Sequence, residues 1–184
     1  MGLDAVEIVM TWENSFGIEI SDDEAIAIAT IKQAIDLISS KVNASGGIAG
    51  VCLGARAFYR IRQAFYNVGL PRKQIQLDSK WVDILPNIPQ KKRQETLNYI
   101  CDRAGLPKAP AFSFHFGAIN RRITVRSLVD WAVANYPCSL TSSEERWTHF
   151  QVRSVVRSVI RDLADISDRD FKDDDAFSYI LGIF

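Results

Sequence analysis

The chain has 184 residues with 22 basic and 22 acidic side chains, so its formal net charge at pH 7 is zero. A hydrophobic content of 47% is enough for a sizeable core and excludes an intrinsically disordered composition. The sequence contains no apolar run of roughly 18 residues and no N-terminal signal pattern. We therefore expect a cytoplasmic protein without a membrane span.

Three cysteines, Cys52, Cys101 and Cys138, lie far apart in the sequence. Neither a C-x-x-C motif nor a mixed Cys/His spacing accompanies them. The pattern therefore indicates neither a disulfide framework nor a zinc site, and we expect no bound metal.

Charge is distributed unevenly along the chain. Residues 1–44 carry eight acids and two bases, for a net charge of −6, and residues 137–184 carry nine acids and six bases, for −3. Residues 45–136 carry fourteen bases and five acids, for +9. Segregation of this kind predicts oppositely charged surfaces that bind each other or bind separate partners.

The first predicted element is an amphipathic helix in residues 2–10, GLDAVEIVM. Asp4 and Glu7 fall on its polar side, where acids near a helix N-terminus are favoured by the helix dipole. The predicted apolar face comprises Leu3, Val6, Val9 and Met10.

Two more helices are predicted before residue 44. Ser21 or Asp22 can cap a short helix, and Thr30 can cap the helix IKQAIDLISSKV that follows. The buried stripe of this last helix is predicted to be Ile31, Ala34, Ile35 and Ile38.

Residues 3–38 also carry a specific pattern of acidic and apolar positions. The pattern consists of Leu3, Asp4, Val6, Glu7, Val9, Met10, Phe16, Ile18, Ile20, Asp22, Asp23, Glu24, Ala25, Thr30, Asp36 and Ile38. It resembles acyl carrier proteins, whose second helix typically reads D-S-L-D-x-V-E-L-V-M, followed by E-x-x-F-x-I-x-I-P-D-E-E-A and T-V-x-x-x-x-D-x-I. The resemblance implies that residues 1–44 supply the second to fourth helices of a carrier fold.

The resemblance fails at the position of the prosthetic group. The family's serine, which carries the phosphopantetheine arm, corresponds to Gly2, which has no hydroxyl. The resemblance therefore implies a carrier scaffold without this cofactor and without catalytic residues.

Two later amphipathic helices are predicted, at residues 55–68 and 152–163. Each helix and the loop after it resemble the first helix and long loop of a carrier protein, and the two stretches match one another. The matched pairs are Ile61–Val156, Ala64–Val159, Phe65–Ile160, Val68–Leu163, Ile75–Phe171, Asp78–Asp174, Trp81–Phe177 and Leu85–Leu181. Residues 30–36 likewise match residues 124–130, and both resemble the family's last helix.

The order of these parts predicts an all-α protein of two acyl-carrier-like four-helix units. One unit is circularly permuted and consists of residues 1–44 plus 146–184. The second, a diverged basic unit at residues 55–136, is inserted between them, and residues 45–54 and 137–145 are predicted linkers. A swapped homodimer that exchanges the terminal segments is the open alternative.

Acidic side chains near the first helix are the predicted partner-binding residues, namely Asp4, Glu7, Glu13, Asp22 and Asp23. Carrier proteins present such a face to their partners, so the resemblance implies a protein partner, either a carrier-recognising enzyme or a basic protein. The function that follows is a non-catalytic protein–protein interaction module. A solvated face that only keeps the protein soluble is the alternative for these acids.

The middle of the chain predicts a secondary basic surface that comprises Arg56, Arg60, Arg62, Lys92 and Arg93. A regulatory or inhibitor/immunity-type protein that binds an acidic partner through this surface is the alternative function. Interleaved aromatic residues raise nucleic-acid binding as a further option, but zero overall charge and the lack of a known motif do not favour it.

An enzyme is not favoured by the sequence. Cys101, His115 and an aspartate could meet in space as a nucleophile arrangement, but no local motif supports one. Residues 107–123 alternate phenylalanine with polar residues and are predicted to form an extended arm, a small hairpin or a loop.

Overall fold

The computed structural model describes residues 3–46, 52–84, 90–107, 124–141, 145–164, 166 and 171–180. Within these ranges the regular elements are helices, accompanied by isolated β-bridges, which confirms the all-α fold class. The chain divides into two compact units. The terminal unit comprises Met1–Leu53 and Val133–Phe184, and the middle unit comprises Gly54–Ala132.

The helices follow one another along the chain. The N-terminal segment forms α1 (Leu3–Phe16), α2 (Asp22–Ala27) and α3 (Ile31–Lys41). Next come α4 (Leu53–Asn67), a 3₁₀ turn (Arg72–Gln74), α5 (Trp81–Ile84), α6 (Gln90–Arg103) and α7 (Val125–Asn135). The C-terminal segment forms α8 (Pro137–Leu140), α9 (His149–Ala164) and α10 (Phe177–Ile180).

In the terminal unit, α1 and α3 both pack against α9. Burial of a continuous apolar stripe on each helix is the main favourable term for such packing. The buried stripes are Ala5, Ile8, Val9, Trp12 and Phe16 on α1, Ile31, Ala34, Ile35 and Ile38 on α3, and Val152, Val155, Val156, Val159 and Ile160 on α9. The stripe predicted for α3 is thus confirmed.

Local hydrogen bonds fix where α2 and α3 begin. The Ser21 hydroxyl accepts from the Glu24 amide, and the Glu24 carboxylate accepts from the Ser21 amide in return. Thr30 and Gln33 form the same reciprocal capping box at α3. Both predicted cap positions are confirmed, with Ser21 rather than Asp22 as the cap of α2.

The C-terminal loop is tied to the start of α3. Thr30 and Ala176 form an antiparallel bridge. The Lys32 amide donates to the Asp173 carbonyl at 2.7 Å, and the Phe177 amide donates to the Ala29 carbonyl at 2.9 Å. The two ends of the chain therefore share one hydrogen-bonded framework as well as one core.

A charged cluster fastens the same loop to α9. The Asp173 carboxylate accepts from Arg153 Nε at 2.5 Å and also from the guanidinium of Arg157, which is only 5% exposed. Arg157 donates to the Phe171 carbonyl at 3.0 Å and lies 4.1 Å above the centroid of the Phe171 ring. Burial alone raises the pKa of Asp173, but the bonds from Arg153 and Arg157 outweigh it, and the net pKa lies below its usual value.

The middle unit has its own core, to which α4, α6 and α7 contribute. Its buried apolar residues include Ala57, Ile61, Ala64, Phe65, Ile75, Ile84, Leu97, Ile100, Leu106, Val125, Leu128 and Val129. Lys80 and Thr124 form an antiparallel bridge, and the Arg126 amide donates to the Leu77 carbonyl at 2.8 Å. The loop after α4 is thus joined to the start of α7.

The described parts of the two predicted linkers make defined contacts. Pro137 and Leu140 are buried in α8, which packs against α1, so apolar side chains draw this stretch into the terminal unit. In the first linker, Ser45 forms a parallel bridge with Thr148. Residues 108–123, which hold nearly all of the predicted arm or hairpin, lie outside the described residues.

Candidate protein-interaction surface

One side of α1 carries large apolar residues that the core does not cover. Val6 is 43% exposed and Met10 is 55% exposed, and they lie one turn apart on the helix. The carboxylate-bearing Glu7 is exposed next to them. Side chains at this spacing form a continuous stripe along the helix surface.

This arrangement corrects the sequence prediction, which placed Val6 and Met10 on the buried face. Two helical stripes compete on α1 and share Val9. The structure buries the stripe that contains Ile8 and Trp12, because these larger side chains remove more apolar surface from water. Val6 and Met10 are left on the solvent side.

Helix α2 carries a further exposed apolar residue. Ile26 is 72% exposed, the largest exposed fraction of a large apolar residue among those described. Asp22 and Asp23 are exposed in the first turn of the same helix. Ile26 is therefore accompanied by two carboxylates on a short helix whose start is fixed by its capping box.

A cleft of about 150 Å³ connects α1 with α2. It is lined by Val9, Ala25, Ile26, Ile28 and Phe177. The buried Val9 of α1 and the exposed Ile26 of α2 line this cleft, whereas Val6 and Met10 lie outside its lining. We define the acidic–apolar surface as Val6, Glu7, Met10, Asp22, Asp23 and Ile26.

The other predicted acids contribute differently. Glu13 is half-buried, and its carboxylate accepts a 2.7 Å hydrogen bond from the Ile20 amide, so it orders the loop between α1 and α2. Glu24 pairs with Lys41 at 2.8 Å, and hydrogen bonds from Lys41 and Ser21 hold its pKa below the usual value. The Asp4 side chain and all of Gly2 lie outside the described part of the chain.

The residues of the predicted basic surface differ in their exposure to solvent. Arg56, Arg60 and Arg62 on α4 are half-buried, whereas Lys92 on α6 is exposed. The Arg93 side chain lies outside the described part. Exposed tyrosines accompany these bases, namely Tyr59, Tyr66 and Tyr99.

Of the residues proposed for a nucleophile arrangement, Cys101 is described by the structure. Burial raises the pKa of the Cys101 thiol to about 12, so its reactive thiolate is scarce at neutral pH. His115 lies outside the described residues, and His149 is an exposed side chain 3.4 Å from the Asp36 carboxylate. Among the residues that are described, no group of histidine, cysteine and carboxylate side chains could hold a metal ion.

Part of the chain is similar in sequence to a known protein. Over 42 residues the chain is 55% identical to an acyl carrier protein of Guillardia theta. The matched stretch is 23% of this chain and 52% of the relative, so the chain spans about half of the length of the curated relative it matches. No family model and no solved structure matches the chain.

These findings support two predictions from the sequence, the similarity to acyl carrier proteins and the helical fold. Part of the chain is similar to an acyl carrier protein, and the described chain is helical, as a carrier-like domain requires. No helix in the described ranges is long and apolar enough to cross a membrane. The sequence did not identify Ile26 as an exposed residue. It also predicted that Val6 and Met10 are buried, whereas both are exposed. For α1, the spacing of Ala5, Ile8, Trp12 and Phe16 was the available signal for the other orientation.

Proposed function

We propose that the terminal unit is a carrier-like interaction module that binds a protein partner through the acidic–apolar surface and has no phosphopantetheine arm of its own. The observation that carries this proposal is the exposure of Val6, Met10 and Ile26 beside Glu7, Asp22 and Asp23. Large apolar residues that are exposed beside charged residues on a helix are typical of an interaction site.

The chemistry of this surface favours a basic partner. Exposed carboxylates attract and orient a positively charged surface, and the apolar stripe supplies contact area once the two are in register. Enzymes that recognise carrier proteins are the partner class that the similarity to an acyl carrier protein favours. Since Gly2 has no hydroxyl, the interaction involves recognition without attachment of the prosthetic group.

Binding measurements with matched variants test this proposal. Carrier-recognising enzymes are immobilised, and their affinities for the wild-type chain are compared with those for Glu7→Lys and Met10→Ser. Each change is expected to weaken binding by about tenfold, through charge repulsion in the first variant and lost apolar contact in the second. The Glu7→Lys effect should shrink in high salt, because screening weakens it.

The controls make the same chemical changes elsewhere. Glu95→Lys reverses an exposed acid on α6, and Leu163→Ser removes an exposed apolar side chain from α9. Both should retain wild-type affinity. Equal losses in the controls, or unchanged binding in the surface variants, would reject the surface as the binding site.

We further propose that the terminal unit is a circularly permuted carrier-like unit and that the middle unit is its diverged copy. Burial of the matched positions supports this proposal: Ile61 and Val156 are both fully buried, and Val68 and Leu163 are both 38% exposed.

The loops give independent support for the repeat. Thr30 bridges Ala176 in the terminal unit, as Thr124 bridges Lys80 in the middle unit. The rival arrangement is a swapped homodimer, which light scattering on the purified chain distinguishes from a monomer.

A second candidate function uses the middle unit, as a regulatory or inhibitor/immunity-type protein. Residues 45–136 carry the net charge of +9 that favours this candidate. Reversal of Arg60, Arg62 and Arg93 should abolish binding of an acidic partner and leave binding through the acidic–apolar surface intact. Loss of both activities, or of neither, would argue against two separate surfaces.

A further inference from the structure

A cleft in the middle unit contains two arginines that face a common space. The cleft has a volume of about 240 Å³ and is lined by Tyr59, Arg62, Gln63 and Arg72. Tyr59, Arg62 and Gln63 lie on α4, and Arg72 begins the 3₁₀ turn that follows it. The turn after α4 therefore returns a second guanidinium to the side of the first.

Arg72 is held in place by neutral groups. Its guanidinium donates to Gln63 Oε1 and lies 4.7 Å from the centroid of the Tyr66 ring. Gln63 is in turn oriented by its own side-chain amide, which donates to Asn67 Oδ1 at 2.8 Å. These contacts fix the direction of the guanidinium and leave its positive charge without a compensating carboxylate in the described chain.

Arg62 has an unused donor. Its Nε is buried and has no hydrogen-bond partner, and its guanidinium lies 5.7 Å from the centroid of the Phe58 ring. A buried donor without an acceptor is costly, which makes it a candidate for satisfaction by a ligand.

The matched position in the terminal unit shows what Arg62 lacks. Arg157 matches Arg62 in the pairing of α9 with α4, and it bonds to the Asp173 carboxylate. The residue of the middle unit that corresponds to Asp173 is Leu77, which has no charge. Arg157 therefore has an internal counter-ion at a position where the middle unit has an uncharged leucine.

We propose that this cleft binds a phosphate monoester. Two guanidinium groups supply two positive charges and several directed N–H donors, which suit the dianionic, tetrahedral phosphate better than a planar, singly charged carboxylate. The net charge of +9 in residues 45–136 raises the local concentration of anions. Tyr59, which is 63% exposed at the edge of the cleft, offers a ring face to the organic part of the ester.

The test is a titration of the full chain with phenyl phosphate at physiological ionic strength and pH 7.5, where its second proton is largely lost. Calorimetry gives the affinity, and the Arg Nε–H signals in ¹H–¹⁵N spectra report the site. We expect saturable binding that shifts the Arg62 Nε–H signal. We also expect a loss of about tenfold or more in Arg62→Gln and in Arg72→Gln, as removal of a charge-assisted hydrogen bond predicts.

The matched control is Arg103→Gln, which removes an arginine of the same unit that also lies over a tyrosine, Tyr99. It should bind phenyl phosphate within twofold of wild type. Circular dichroism checks that the variants fold. If the Arg62→Gln variant does not fold, the Arg72→Gln variant still tests the site, because Arg72 is exposed.

Three results would overturn the proposal. Equal weakening in Arg103→Gln would mean that diffuse positive charge, rather than the cleft, attracts the ester. Binding of benzoate as tight as that of phenyl phosphate would mean a carboxylate site. Binding of a single-stranded oligonucleotide without binding of phenyl phosphate or inorganic phosphate would mean a nucleic-acid surface. None of these results bears on the acidic–apolar surface of the terminal unit, so the two proposals stand or fall separately.

Discussion

Replacement of Asp173 by asparagine should destabilise the terminal unit specifically. The change removes the negative charge of a carboxylate that pairs with the buried Arg157 guanidinium, while the side chain keeps its size. In this variant Arg157 retains its 3.0 Å hydrogen bond to the Phe171 carbonyl and its contact with the Phe171 ring. These contacts still partly stabilise the positive charge of Arg157.

The magnitude follows from these contacts. Loss of one partner of a buried ion pair costs about 3–5 kcal/mol, and a hydrogen bond to a charged group contributes about 1.5–3 kcal/mol. Because Arg157 keeps its contacts with Phe171 and Asp173 is 23% exposed, we expect a loss of about 2–3 kcal/mol in the free energy of unfolding, below the figure for a buried ion pair and within that for a charged hydrogen bond. Urea unfolding followed by circular dichroism measures it at pH 7.

The pH dependence provides a second readout. The pKa of Asp173 lies below its ordinary value of 3.8 in the folded chain, so its ionised form stabilises the fold above that value. This contribution is lost as the pH falls through the folded-state pKa. The difference between wild type and Asp173→Asn should therefore be full at pH 7 and should shrink below about pH 4.

The control is Asp78→Asn, which breaks the exposed pair with Arg126 at 3.1 Å. Exposed pairs contribute less than about 1 kcal/mol, so this variant should unfold close to wild type. An equal loss in both variants, or a loss below 1 kcal/mol in Asp173→Asn, would mean that burial does not strengthen the Asp173–Arg157 pair.

Three further predictions concern the packing, the thiols and a helix cap. Ile8→Ala should cost about 2–4 kcal/mol of unfolding free energy and Val6→Ala less than about 0.5 kcal/mol; equal effects would contradict the assigned buried face of α1. At pH 8 iodoacetamide should modify the exposed Cys52 and spare Cys101, as peptide mass spectrometry would show. Thr30→Ala should lower the unfolding free energy by about 1 kcal/mol and Thr30→Ser by less, since serine preserves the cap.

The sequence specified the start and the buried face of α3 correctly. Thr30 and Gln33 form a complete capping box, and the stripe from Ile31 to Ile38 has no competing apolar face. Local signals of this kind depend on residues close together in the chain, which is why they could be identified without a structure.

The orientation of α1 depended on its tertiary partners. Its sequence offers two apolar stripes, and packing against α9 decides in favour of the one with Ile8 and Trp12. The phosphate cleft has a similar origin, because Arg72 meets Gln63 only through the turn that follows α4. Contacts across a turn are set by backbone geometry that residue spacing does not specify.

The terminal segments contain one feature that the sequence pattern predicts and one that it does not. Matching of Ile75 with Phe171 came from the apolar pattern, and both residues are buried. The bonds of Asp173 to Arg157 could not be found in this way, because the matched position in the middle of the chain is Leu77 and carries no charge.

Recognition without attachment is most directly tested by a transfer assay that contains a phosphopantetheinyl transferase, an authentic acyl carrier protein and this chain. We expect the wild-type chain to slow loading of the carrier competitively, the Glu7→Lys variant to leave loading unchanged, and the intact mass of this chain to stay the same. A mass gain of one phosphopantetheine on this chain, or an unchanged loading rate at saturating chain concentration, would contradict this expectation.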